Sequence, residues 1–172
     1  MDNKEVLKYC PRCSAHAVLA DSRKIVCAGC GFQIYLNTAA AVAALLFDGD
    51  SRLMAVRRNH EPRSGMLDLP GGFVDFGETA EEALSRELRE ELGITVCGIE
   101  YYRSIPNKYQ YGGVLYHTLD IFLKCRFDDG VDNNIRPNDE ISEVVYKRPG
   151  DISEDEIAFD SMKKLIKSLK IN

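Results

Sequence analysis

"GGFVDFGETAEEALSRELREELGI", Gly71 to Ile94, joins a bare glycine turn to a stretch with six glutamates between Glu78 and Glu91. Thr79 to Leu92 has the length and apolar spacing of a helix, and Gly93 supplies its stop. At about 100° per residue, Glu87, Glu90 and Glu91 fall within an arc of roughly 100°. Leu84, Leu88 and Leu92 take the adjoining arc, and Glu82, Ser85, Arg86 and Arg89 the far side. Like charges three or four residues apart cost a bare helix a few tenths of a kcal/mol per pair. A solvated face would interleave Lys or Arg among those glutamates, whereas here the arginines are expected on another side. A divalent cation resolves the repulsion, and hard oxygen ligands select magnesium or manganese. Gly71 and Gly72, lacking side chains, let their backbone come close to a metal or a phosphate. Cations held here would neutralise a diphosphate and activate a water for in-line attack, with one carboxylate taking the water's proton.

Upstream, "TAAAVAALLF" and "RLMAVRR" are separated by the turn cluster Asp48-Gly49-Asp50-Ser51. They are expected to form a strand hairpin, the first strand apolar enough to be central. A loop and a short strand, "LDL", lead into Pro70-Gly71-Gly72. Downstream, Ile94 to Tyr102, Val114 to Cys125 and Ile141 to Lys147 have strand character. Asp160 to Leu169 is predicted to close the chain as an amphipathic helix, with Met162, Leu165, Ile166 and Leu169 on one stripe. The simplest assembly is a mixed sheet with a helix on each side, an α/β fold. Cys97 and Cys125 sit in apolar strands and are expected as core thiols. His117 alternates with Leu115, Leu119 and Ile121, which predicts a buried histidine. Arg57, Arg58, His60 and Arg63 stand at a strand end, where basic residues either line a phosphate path or are simply solvated.

The N-terminal piece carries Cys10-Pro-Arg-Cys13 and Cys27-Ala-Gly-Cys30, thirteen residues apart. Each pair forms a knuckle that turns two thiolates toward one point, and four sulfurs make a closed tetrahedral zinc site. All four positions are Cys, with no place for water, so a zinc there is structural.

The helix stretch then carries a family resemblance. Gly72, five residues, Glu78, seven residues, then Arg86-Glu87-Leu88-Arg89-Glu90-Glu91-Leu92-Gly93-Ile94 match in full the signature of the Nudix hydrolases. The resemblance implies a Nudix-type α/β/α sandwich around a mixed sheet, residues 37–172, preceded by a small zinc ribbon, residues 1–36. It implies hydrolysis of a nucleoside diphosphate linked to another moiety, such as NADH, NAD, ADP-ribose or a nucleotide sugar. By position Glu87 and Glu91 resemble magnesium ligands, and Glu90 a ligand or the group that activates water. The Gly71 carbonyl resembles a further ligand, and Glu78 and Arg86 the pair that keeps loop and helix in register. A ribbon directly ahead of such a domain is similar to the NADH pyrophosphatase branch, in which Tyr35 and the distal metal-binding Glu140 also have counterparts. That branch often forms homodimers, and the resemblance extends this to the present chain. Two departures stand out. Where that branch continues S-Q-P-W-P-F-P, this chain has Ser104-Ile105-Pro106-Asn107-Lys108-Tyr109-Gln110-Tyr111, and it contains no tryptophan. No counterpart of the branch's domain ahead of the ribbon is expected either. Tyr109 and Tyr111 either stack on a base or nicotinamide ring or mark a tyrosine-rich strand edge.

Composition limits the partners. With 45% hydrophobic residues, 28% charged residues and a net charge of −5, the chain suits a soluble domain and lacks a basic block for nucleic acid. Capped RNA stays open as a nucleotide ligand. The charged start, Met1 to Tyr9, does not resemble a leader, and Thr38 to Phe47 is too short an apolar run to span a bilayer. A cytoplasmic location is the expectation. The rival from another class is a ligand-sensing or nucleic-acid-binding module with the ribbon as its contact surface.

Overall fold

Alternation along the strands divides the interior into two cores, one under each long helix. The structure is a computed structural model that describes residues 8–19, 23–130 and 134–170. The charged start read as no leader therefore lies mostly outside the described residues, as do residues 20–22 of the expected ribbon and the last two of the expected 37–172 domain. Strands β1 (Ala17–Leu19), β2 (Lys24–Cys27) and β3 (Gln33–Tyr35) form a small antiparallel sheet that carries the cysteine knuckles. Strands β4 (Ala39–Leu46), β7 (Val96–Tyr111) and β8 (Val114–Phe127) form a mixed sheet in the order β4-β8-β7, with β4 parallel to β8. Strands β5 (Leu53–Arg58), β6 (Leu67–Asp68) and β9 (Ile141–Lys147) form an antiparallel sheet in the order β6-β5-β9.

Helix α1 (Ala80–Leu92) buries Ala83, Leu84, Leu88 and Leu92 against Val42, Ala44 and Leu46 of β4 and Met54 and Val56 of β5. Helix α2 (Asp160–Leu169) buries Met162, Leu165 and Ile166 against Leu45, Leu53, Ile105 and Phe122. Neighbouring residues of β4 and β5 thus serve opposite cores, as period-2 geometry requires. Each fully buried leucine of α1 contributes roughly 1.5–3 kcal/mol of transfer free energy. The result is an α/β/α sandwich, with helices on both sides of the sheets. Among the described residues, no helix is long and apolar enough to cross a membrane.

Helix α1 starts and stops where its sequence says it should. The Thr79 hydroxyl accepts from the Glu82 N–H at 3.2 Å, and the Glu82 carboxylate accepts from the Thr79 N–H at 2.8 Å, a reciprocal capping box. Gly93 ends the helix in the left-handed region, φ 69°, donating to the Arg89 carbonyl at 3.0 Å.

Four expectations change. The β4–β5 hairpin does not form: the strands meet only in the bridge Phe47↔Leu53, and β4 runs parallel to β8 instead. Nor is β4 flanked by strands on both sides; its outer edge is taken by the Pro70–Val74 segment. The Val42 N–H donates to Gly72 (2.8 Å), the Ala44 N–H to Pro70 (2.9 Å), and the Val74 N–H to Ala40 (3.1 Å). An apolar run with two cores to fill resembles a central strand, whichever neighbour it pairs with. His117 is exposed, because Thr118, not His117, occupies the inward position on β8. Strand β7 also runs on to Tyr111, as its register with β8 continues to the pair Tyr111↔Val114.

The edge-capping turn tolerates little. Gly71 has φ 144°, and a Cβ there would sit under 3.0 Å from the Val42 carbonyl oxygen, which is strand backbone and cannot yield. Gly71→Ala is expected to lower stability by about 2–4 kcal/mol in urea unfolding, through strain and overpacking together. Gly49→Ala, with open space around the new methyl, should stay within about 0.5 kcal/mol. Equal loss in both variants would show that the turn is not seated on β4 in this way.

Candidate active site

The turn that caps β4 also faces the helix glutamates. The Gly71 N–H donates to Glu91 Oε2 at 2.9 Å. A Cβ on Gly72 would run into the Glu87 carboxyl group. Gly71 is therefore needed for close approach to the strand, whereas a side chain at Gly72 would displace the Glu87 carboxyl group.

Arg86 does not stand apart from the glutamates. Its Nε and Nη2 hold Glu78 in a bidentate pair at 2.8 and 3.0 Å, and Nη2 also donates to the Phe73 carbonyl at 3.0 Å. Its Nη1 reaches Glu87 at 2.9 Å and Glu90 at 3.1 Å. Helical arc fixes where a Cα lies, but a long arginine stem carries its head group back across the arc. One guanidinium thus ties the turn to the helix and partly neutralises two of the three glutamates. Pairing with Arg86 holds the Glu78 carboxyl below its ordinary range.

That neutralisation is incomplete. Glu91 is pushed up to about 8, first by burial and then by Glu87, Asp68 and Glu140, against the Gly71 N–H. Glu87 is also raised, chiefly by burial, with Arg86 opposing. Asp68, on β6, rises to about 6 by burial, although Arg58 lies 3.1 Å away. Glu140 reaches this group from the loop before β9, whose backbone is pinned by Asn59 N–H to the Glu140 carbonyl (2.8 Å) and Asn138 N–H to the Glu91 carbonyl (2.8 Å). Four carboxylates with too little positive charge among them are a hard-oxygen donor set, and they fit a divalent cation.

Two cavities open beside them, of about 400 and 200 Å³. They share Arg58, Asp68, Gly71, Glu91, Tyr109 and Glu140. Tyr111 and His60 line the larger one. Tyr109 packs on Phe73 (centroids 5.8 Å), Phe159 (5.5 Å) and Tyr111 (6.2 Å), and Arg58 lies 5.2 Å over the Phe159 ring. Arg57 instead pairs with Glu143. Tyr35 lines neither cavity; it is exposed on β3 with Lys24 5.6 Å from its ring. Asp68, Asp120 and Asn107 also line the cleft. Single polar residues inside apolar strands gave no signal for them beyond the alternation itself.

At the other end of the chain, Cys10, Cys13, Cys27 and Cys30 bring their sulfurs within 4.8 Å of one another. Cys10 and Cys30 are 3.7 Å apart, and Cys13 and Cys27 3.5 Å. These are far from the ~2.05 Å of a disulfide, and near the ~3.8 Å edge of a tetrahedron with 2.3 Å metal–sulfur bonds. The Cys30 backbone N–H, against the cost of burial, brings the Cys27 thiol down to about 7. The four thiols fit a zinc ion.

A family model described as "NUDIX domain" matches residues 37–169. An ADP-ribose pyrophosphatase of Methanocaldococcus jannaschii is 41% identical over 63 residues, 37% of each chain. The NAD-capped RNA hydrolase NudC of Haemophilus influenzae is 32% identical over 101 residues, 58% of this chain and 38% of that protein. The matched regions thus span well under half the length of these curated relatives. A NUDIX hydrolase from Nitrosomonas europaea superposes with a TM-score of 0.70 at 20% identity, over 95% of this chain and 91% of that one.

The raised Glu91 carboxyl has a consequence for stability without magnesium. Its ordinary value is 4.5 and its folded value about 8, so the native state holds a proton that the unfolded chain has lost. Stability therefore falls as pH rises from about 5 to about 8. Glu91→Gln removes that dependence and keeps an acceptor for the Gly71 N–H. At pH 7.5, after dialysis against magnesium-free buffer, the variant should melt higher by about 2–8 °C, on the order of 1–2 kcal/mol. A lower Tm would mean that the Glu91 carboxylate is not buried among like charges.

Proposed function

The chain belongs to the Nudix family, and on that premise we propose that it is a pyrophosphohydrolase. It cuts the diphosphate of a nucleoside diphosphate linked to another moiety and releases a nucleoside monophosphate. The observation that carries this reading is the convergence of Glu87, Glu91 and Glu140 on the Gly71–Gly72 turn, beside an aromatic-lined cleft. Relatives named for ADP-ribose and for NAD-capped RNA support a dinucleotide-like substrate.

Glu87, Glu91, Glu140 and the Gly71 carbonyl would hold magnesium or manganese. Such an ion supplies charge neutralisation for the diphosphate and a more acidic water. Glu90, whose side chain is 59% exposed, is the carboxylate with room to accept the water's proton. Arg86 keeps Glu87 and Glu90 oriented while Glu78 anchors Arg86 to the turn. Tyr109, Tyr111 and Phe159 offer ring faces to the groups flanking the diphosphate, and Arg58 offers positive charge. The four thiols of the ribbon would hold a structural zinc.

Glu87→Gln keeps shape and hydrogen bonding but removes charge, and kcat on ADP-ribose or NADH with magnesium should fall by roughly two orders of magnitude or more. Glu81→Gln, exposed in the first turn of α1, should leave kcat within about twofold. Unchanged turnover in both variants would reduce the glutamates to a charged surface.

Protein purified without chelator should contain about one zinc per chain, and Cys27→Ser should lose it. Full zinc content in Cys27→Ser would rule out the four-thiol site.

A further inference from the structure

The face that the β4–β8–β7 sheet turns toward α2 is set by strand register. Ala41 pairs with Asp120 and Ala43 with Phe122 across β4 and β8. Asn107 pairs with Thr118, and Ile105 with Asp120, across β7 and β8. Paired residues share a face, and so do residues two apart. Ala41, Ala43, Asn107, Thr118, Asp120 and Phe122 therefore look the same way. Where larger β4 side chains would fill the space, the two alanines leave the 200 Å³ cavity. Phe73, Tyr109 and Phe159 also line it.

This pocket has polar groups that the proposed hydrolysis does not use. Asp120 is fixed from both sides: Thr118 Oγ1 donates to Oδ1 at 2.7 Å, and Ser161 Oγ donates to Oδ2. Thr118 and Ser161 are themselves buried. One donor per oxygen holds the carboxylate still and leaves each oxygen a second lone pair. Asn107 is only 9% exposed as a residue and lines the cavity; among the described residues its side chain makes no hydrogen bond, and because no buried polar atom is left without a partner its carboxamide is open to the cavity. Its carboxamide atoms are thus available to pair with a group that enters it.

We propose that this pocket receives a planar ring whose amino group stands next to a hydrogen-bond acceptor. Asn107 pairs with the amino hydrogen and the adjacent acceptor together, Asp120 accepts the second amino hydrogen, and the aromatic side chains bound the ring. The reading rests on the cleft being a dinucleotide site. Two rings of such a substrate carry this chemistry: adenine, with its amino group beside a ring nitrogen, and nicotinamide, with its carboxamide. A carbonyl in place of the adenine amino group, or a carboxylate in place of the carboxamide, would face the Asp120 carboxylate with no proton between them.

The test is equilibrium binding by calorimetry to full-length Glu87→Gln protein, so that hydrolysis does not enter. The probes are NAD, nicotinamide hypoxanthine dinucleotide and nicotinic acid adenine dinucleotide. One analogue at least should bind roughly tenfold or more weakly than NAD. Its deficit should vanish when Asn107→Leu is added, and shrink or reverse with Asp120→Asn, which keeps an acceptor for the flanking hydroxyls. The analogue that responds names the ring in the pocket. Equal binding of all three probes, binding of none, or a deficit unchanged in both added variants would overturn the assignment. Discrimination that persists while wild type hydrolyses no dinucleotide would sink the proposed activity and leave this pocket standing.

Discussion

The seat of Pro70–Gly72 on the edge of β4 is the constraint from which the site follows. Three backbone hydrogen bonds, from Val42, Ala44 and Val74, fasten that segment to the strand in place of a neighbouring strand. Gly71 fits only because it has no side chain to meet the Val42 carbonyl. With the turn so placed, the Gly71 amide points at Glu91, and the second glycine leaves room for Glu87. The helix is then clamped from the other end by Arg86, which grips Glu78 and the Phe73 carbonyl in the same loop. Sheet edge, turn and helix thus form one rigid unit, and the carboxylates are held where they repel rather than where they relax.

Holding charge in this way costs stability. Three carboxylates of this group, Glu87, Glu91 and Asp68, have values raised by burial, and among the described residues the cations within hydrogen-bond distance of them are Arg86, on Glu87, and Arg58, on Asp68. A buried group of like charges is costly unless a cation completes it. A hydrophobic residue at position 91 would pack on the same sheet at lower cost. The arrangement is one that a bound cation relieves, and the same strain gives a charged ligand its leverage.

Legibility in the sequence followed the range of the interactions. Helix α1 was readable to within one residue from its apolar spacing and the stop at Gly93, while the Thr79–Glu82 capping box sets its start at Ala80. Helix α2 was equally plain from its stripe of Met162, Leu165, Ile166 and Leu169. The partner of β4 was not readable, since a parallel pair with β8 joins residues about eighty positions apart and leaves no turn signal. Proximity in sequence favoured β5, and tertiary packing overrode it. Alternation misplaced His117 by one register step: β8 exposes Leu119 as well, so an apolar neighbour did not mark the inward face. The reach of Arg86 was lost for a related reason, because a helical projection locates backbone and not guanidinium. The Nudix signature made the glutamates legible as a set, whereas Asp68, Asn107 and Asp120 stand singly in three different strands.

Those three residues show how one fold divides its labour. The α1 side of β4 is filled by Val42, Ala44 and Leu46, and it closes into core. On the α2 side, Ala41 and Ala43 are too small to close the space, and Asn107, Thr118 and Asp120 make its floor polar. A sheet needs one well-filled face to stay folded; two filled faces would leave no room for a ligand. Here the filled face backs the glutamate helix, and the hollow face opens beside Phe73, Tyr109 and Phe159. The two regions meet at Asp68, Gly71 and Glu91, which line both cavities. A molecule with a charged centre and a planar end can therefore touch the carboxylate group and the polar floor at once. Substitutions on the floor can change which ring is admitted without disturbing the α1 core that positions the glutamates.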